Sequence, residues 1–239
     1  MDRRIRDLKE MKPKMMLGVC IDLIMTILLL VLMGRQISGE SAHEWLGALL
    51  FVLWIIHHLL NARWYGALFR GRYTLYRSIQ TIVNILLMAA MLATMVSAVI
   101  LSREVFAFLP ISGGIALARS MHIAGAFWAF VLMSLHLGLH WNMVLGMIRK
   151  MIGSLRSVPL QRIVRIIGVL IAAYGLFAFI QQQFPAYLTL SSSFVFFDFT
   201  RPAFLFYLDH LAIMGLFVFL AHMVTMASQK LSARKSVGK

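Results

Sequence analysis

The chain has 239 residues, of which 61% are hydrophobic and 13% charged, with a mean hydropathy of +0.83 and a net charge of +14. An ordinary soluble domain is roughly 45–50% apolar and about 25% charged, so these values exclude a water-soluble globule and a disordered chain alike. They leave an all-α integral membrane protein, and they turn the excess of Lys and Arg from a sign of nucleic-acid binding into loop charge beside a bilayer.

Six apolar runs follow one another at about 15–33, 42–60, 81–101, 121–148, 166–180 and 204–227. Each is long enough, or nearly so, to cross the roughly 30 Å hydrocarbon layer as a helix, the form that satisfies its own backbone polar groups there. The first reads as an uncleaved anchor. It is longer than the apolar core of a typical leader, and no small-residue cleavage pattern follows it. No Gly/Ser linker, charge block or low-complexity stretch divides the chain, so residues 1–239 read as one membrane domain. The longest outer segment, 181–202, contains QQQ, SSS and FVFFDF, and reads as a docking surface or a shallow interfacial helix.

Loop charge sets the direction. Arg3, Arg4, Arg6, Lys9, Lys12 and Lys14 precede span one; Arg63, Arg70, Arg72 and Arg77 follow span two. Arg149, Lys150, Arg156, Arg162 and Arg165 follow span four, and Lys230, Arg234, Lys235 and Lys239 end the chain. All of these fall on one side, and only Arg35, Arg103, Arg119 and Arg201 fall on the other. The positive-inside rule then places both termini in the cytoplasm. Trp45, Trp64, Tyr65 and Trp141 lie near span ends, as an aromatic belt requires. The one cysteine, Cys20, allows neither an internal disulfide nor a CxxC pair, and no CxxCH is present for covalent haem attachment.

Spans two and four share a pattern of histidines. SAHEWLGALLFVLWIIHHLLN and SMHIAGAFWAFVLMSLHLGLH align Ser41 with Ser120, His43 with His122, His57 with His136, and Asn61 with His140. One span lies between them, so the two helices run parallel and are expected to pack side by side. The fourteen residues between the histidines of each helix are two heptads, which return both rings to one seam of a left-handed bundle. The rise of about 21 Å sets one ring near the outer face and one well toward the inner face. Two histidine pairs at two depths suit two haem groups, each ligated by one imidazole from each helix. The expected iron ligands are His43 with His122 and His57 with His136, with His140 as the alternative to His136.

The surroundings agree with that reading. Ser41 and Glu44 fit an S-x-x-E capping box, and Ser120 fits the N-cap of span four. His43 and His122 are then expected in first turns, where the helix dipole favours the neutral, ligating imidazole. Gly47 and Gly125, about one turn further in, leave room for a porphyrin to approach. Arg119 and Arg35 are placed to pair with haem propionates at the outer face, and Arg63 at the inner. A single histidine in a span most often just hydrogen-bonds a neighbouring helix. Ionisable groups in spans are functional by default, however, and matched pairs at one spacing on two spans favour ligation. The competing function is a haem-free transporter or a proton sensor built on the same histidines.

The remaining polar groups fit less directly. His58 is rotated about 100° from His57 and reads as packing. His210 and His222 match nothing. Asp22 in span one and Asp209 in span six are the carboxylates placed within the bilayer; Asp22 bonds a neighbouring helix or serves protonation at a quinone site. The scattered methionines read as packing rather than axial ligands.

The stretches HEWLGALLFVLWIIH, MHIAGAFWAFVLMSLHLGLHW and FYLDHLAIMGLFVFLAH resemble the flavinylation-associated cytochrome family, formerly a domain of unknown function. In the histidine helices the resemblance covers about 41–64 and 121–141. It implies a bacterial or archaeal b-type cytochrome of the cytoplasmic membrane, with haem b held by His43, His57, His122 and His136. It also implies electron transfer from quinol or a cytoplasmic donor to an extracytoplasmic protein bearing covalently attached flavin, or to another redox partner. On that reading the chain is an electron-transfer subunit of a respiratory oxidoreductase system rather than a stand-alone enzyme. The paired H-x13-H pattern is also similar to respiratory cytochrome b. One departure is Asn61, where a histidine matching His140 would complete the repeat.

Overall fold

Long apolar runs and a bilayer leave the backbone one economical solution, and the chain adopts it throughout. A computed structural model describes residues 13–152 and 158–237. Arg3, Arg4, Arg6, Lys9, Lys12, Arg156 and Lys239, which contribute to the charge asymmetry, lie outside the described residues. The helices are α1 (Pro13–Leu32), α2 (Arg35–Ser38), α3 (Glu40–Leu60), α4 (Arg63–Ala67), α5 (Leu75–Leu101), α6 (Ile115–Leu139), α7 (Trp141–Ile152), α8 (Val158–Gln181), α9 (Phe184–Leu188) and α10 (Ala203–Val237). Among the described residues there is no strand. Six helices, α1, α3, α5, α6, α8 and α10, are long and apolar enough to span a membrane. The protein is an all-α, multi-pass membrane bundle.

Span four departs most from expectation. The sequence predicts one helix over 121–148, whereas α6 starts at Ile115 and stops at Leu139. It starts early because Gly113 and Gly114 take left-handed backbone (φ 100° and 70°), a turn that glycine makes without steric cost, and Ile115–Ser120 then continues as good helix. At its other end His140 leaves the helical path (φ −92°, ψ 5°), and a separate amphipathic helix, α7, follows. Its 12 residues rise only about 18 Å, too little to cross the bilayer. Span three also begins early, at Leu75, because the Thr74 hydroxyl accepts the Arg77 N–H at 3.3 Å and caps α5. α8 and α10 outrun their apolar runs into basic sequence, since a helix need not end where the hydrocarbon does.

Two expected caps are absent. α3 begins one residue before Ser41, after Gly39 (φ 86°), with no side-chain cap. The Ser41 hydroxyl instead donates to Glu104 Oε2 at 2.6 Å. Glu44 accepts from the Ser102 hydroxyl at 2.6 Å and from the backbone N–H groups of Arg103, Glu104 and Val105 at 2.9, 3.0 and 3.2 Å. The would-be capping box therefore fastens α3 to the turn after α5. Ser120 is inside α6, donating to Ala116 O at 3.2 Å, and Gly114 holds the N-cap position. His43 keeps its place in a first turn, but His122 lies about two turns into α6.

α6 is the central helix, with half of its apolar window buried, and α5 and α10 pack along it. α8 packs on α10, where a Cβ on Gly175 of α8 would collide with Ala212 O, and α6 also approaches α10 closely, since a Cβ on Gly138 would stand 2.5 Å from Val218 O. α3 leans on α1 and is the least buried of the six spans. Segment 181–202 begins with the short helix α9. α9 turns inward, burying Phe184 and Tyr187, with Phe184 packed at 4.8 Å from Phe127 and 5.7 Å from Phe130. Trp128 Nε1 donates to Leu188 O at 3.0 Å and pins the end of α9. Only the following loop presents aromatics outward, at Phe194, Phe196 and Phe199.

Candidate functional site

α3 and α6 do not pack side by side as the repeat suggests. They make almost no direct backbone contact, and a cavity of about 540 Å³ lies between them, walled also by α1 and α5. That volume falls in the roughly 300–1,000 Å³ range of cofactor and small-molecule sites. His43 and His122 both line it. Their ring centres are 6.0 Å apart, with planes inclined at 68°. Two metal–imidazole bonds of about 2 Å each put two ring centres roughly 6 Å apart across one shared metal. His122 Nδ1 faces Thr94 O and Ser97 Oγ, both at 3.3 Å, and His43 Nδ1 is buried with no partner. Such a buried, unpaired polar atom marks a ring whose surroundings the protein alone does not complete.

The rim is charged. Arg35, Arg103, Arg119, Glu40 and Glu44 line the outer part of the cavity, and apolar side chains of α1, α3, α5 and α6 line the rest. Arg35 pairs with Glu40 at 3.2 Å, with Arg103 at 3.9 Å from the same carboxylate oxygen. Arg119 makes no ion pair or hydrogen bond among the described residues, so its guanidinium is available to an anion at the mouth. Gly47 opens onto the cavity, with nothing within 4 Å of where a Cβ would stand. Gly125 does not. A Cβ there would collide with Thr94 Oγ1 and approach Ala90 O to 3.2 Å, so its missing side chain serves the close packing of α5 on α6 and not a porphyrin.

The inner histidines are arranged differently. His57 and His136 make no ring contact with each other, and neither lines the outer cavity. His57 Nδ1–H donates to Asp22 Oδ1 at 2.7 Å, and His136 Nδ1–H donates to Asn84 Oδ1 at 2.7 Å. Both rings are thus held in the tautomer whose Nε2 carries the lone pair, the usual outer-sphere arrangement of metal-binding histidine. His140 lies 4.8 Å from His136, but the Gln80 amide donates to its Nε2 at 2.9 Å, which occupies the lone pair a metal would need. His58 packs on Trp54 at 4.2 Å and bonds Tyr65 Oη through Nδ1 at 2.6 Å. His210 is buried on Phe206 at 4.0 Å, its Nδ1–H donating to Phe206 O, which is a packing role. His222 Nδ1 is buried and unpaired among the described residues.

Sequence reasoning passed over the partners on α5. Gln80 and Asn84 stand four apart on one face of an apolar helix, and that polar pair was the available signal. The partners of Asp209 were not foreseen either. Asp209 is fully buried and bonds Arg201, Tyr174 Oη (2.6 Å) and Gln182 Nε2 (2.7 Å).

Among the described residues no group of three or more His, Cys, Asp or Glu is gathered to hold a metal ion. A pair of imidazoles leaves a bare ion under-coordinated but completes the axial positions of a porphyrin iron. No family model matches the chain, no curated protein matches it, and no solved structure matches it.

Proposed function

We propose that this protein is a b-type cytochrome of the cytoplasmic membrane that carries electrons from one face of the bilayer to the other. The observation that supports it most is the His43–His122 pair, 6.0 Å between ring centres across a preformed cavity. His43 and His122 would hold the outer haem b, Arg119 and Arg35 would face its propionates, Gly47 would leave room for the ring, and the apolar lining would exclude water. His57 and His136, each fixed through Nδ1, would hold an inner haem b. Haem supplies the one-electron chemistry, while the protein supplies ligation, depth and electrostatics.

The loop charge and the resemblance of the histidine helices to the flavinylation-associated cytochromes support the rest of the reading. Both termini are cytoplasmic, electrons enter from quinol or a cytoplasmic donor, and they leave to an extracytoplasmic flavin-bearing or other redox protein. The test is a reduced-minus-oxidised spectrum of the purified protein, which is expected to show a b-type α band. Pyridine haemochrome analysis is expected to give two haems per chain. A chain that folds in membranes and binds no haem would overturn the proposal in favour of a transporter or proton sensor.

A further inference from the structure

The hydrogen-bond partners of the four candidate ligands differ in charge, and the difference runs along the membrane normal. At the inner pair, His57 donates to a carboxylate, Asp22, and His136 to a neutral amide, Asn84, both at 2.7 Å. At the outer pair, His122 faces a backbone carbonyl and a hydroxyl at 3.3 Å, and the Leu32 backbone carbonyl lies beside the His43 ring, whose Nδ1 makes no hydrogen bond among the described residues. A bond of 2.7 Å lies at the short, strong end of the N–H···O range, whereas 3.3 Å lies just beyond its long end. The rim charges run in the same sense. Three arginines line the outer cavity against two glutamates, while the nearest charge to the inner ligands is the Asp22 carboxylate.

Asp22 lies mid-way along an apolar helix, where a carboxylate is costly and is retained for a partner or a function. Its one side-chain partner is His57. A carboxylate on Nδ1–H makes the imidazole a more basic ligand, and nearby negative charge favours the more positive oxidation state of a bound iron. Arginines near the outer site favour the less positive one. Both effects order the two sites the same way.

We propose that Asp22 is a positioning residue for His57 whose carboxylate makes the inner site the lower in reduction potential, so that an electron lost at the inner pair is gained at the outer pair. The inference rests on the haem reading above and adds to it the residue that orders the two sites. Electron flow outward is then downhill within the protein, and the acceptor at the outer face needs only to oxidise the higher-potential site.

The experiment is a redox titration, followed by absorbance, of the purified full-length protein and its Asp22→Asn variant, in which an acceptor oxygen stays in place without its charge. The lower of the two midpoint potentials is expected to rise while the higher stays in place and the haem count stays at two. A lower potential that does not move, or a shift confined to the higher one, overturns the proposal. Should Asp22→Asn fail to fold, histidine nitrogen NMR of the wild-type chain prepared without haem reads the bond directly. His57, assigned by its loss in His57→Gln, is expected as the Nδ1-protonated tautomer, and an Nε2-protonated ring overturns the proposal. Absence of haem from the wild-type protein would sink the proposed function, whereas two haems whose potentials ignore Asp22 would sink this inference alone.

Discussion

The Glu44 carboxylate accepts the Ser102 hydroxyl at 2.6 Å and three successive backbone N–H groups beyond it, so one side chain of α3 gathers the turn that follows α5. This makes Glu44 a fastening of the cavity rim, and it sits one residue from His43. Glu44→Ala leaves several donors without their acceptor and is expected to destabilise the protein by about 1–3 kcal/mol. The measurement is thermal unfolding in detergent together with protease cleavage at 102–105. An unchanged midpoint and an uncut turn would show that the turn holds itself.

On the proposed ligation, His122→Ala is expected to halve the haem content, from two per chain to one, because His122 would serve the outer site alone. Pyridine haemochrome analysis reads this. Loss of both haems, or of neither, would mean that the pairing of α3 with α6 is wrong.

His136 and His140 are separated by a second pair of variants. The Gln80 amide already occupies His140 Nε2, so His140→Asn is expected to keep both haems, whereas His136→Ala is expected to lose the inner one. The opposite result would move the ligand one turn along α6.

The two glycines that lie about one turn past His43 and His122 should respond in opposite ways. Gly125→Val forces a side chain into Thr94 and Ala90 and is expected to cost roughly 1–3 kcal/mol or more through overpacking, whatever is bound. Gly47→Phe projects into open space and is expected to leave folding intact while lowering haem content. Melting curves and haem-to-protein ratios of the two variants check both halves.

Asp209 anchors the outer segment from inside. Asp209→Ala leaves the half-buried Arg201, the Tyr174 hydroxyl and the Gln182 amide without their shared acceptor and is expected to cost about 1–3 kcal/mol, read as a lowered unfolding midpoint. Replacing both Asp209 and Arg201 with apolar residues is expected to recover much of that loss.

The six spans were legible because lipid imposes one rule on every residue, and hydropathy records it directly. The helix ends were less so. Ile115 and Leu75 lie beyond the apolar runs, and what sets them is a glycine turn and a threonine cap rather than solvent. The histidine repeat singled out His43 and His122, whose rings stand 6.0 Å apart and steeply inclined in the structure. It did not show that α3 and α6 stand apart, because separation depends on α1 and α5, whose sequences carry no trace of the gap. Ser41 and Glu44 had the spacing of a capping box, yet a loop sixty residues away offered their oxygens better partners, and no local pattern encodes that. Gly125 aligns one residue from the register of Gly47 and looked equivalent, but its neighbour is a helix and not a cavity.

The slight attachment of α3 has a mechanical consequence. With almost nothing of α6 in front of α3, the first hairpin meets the remainder through the edge of α1 on α6 and α10, the Glu44 fastening, and whatever bridges the gap. A guest held from both walls acts as mortar, converting its own binding free energy into cohesion between two halves of the bundle. Emptied of that guest, this hairpin is the part of the molecule that slackens first.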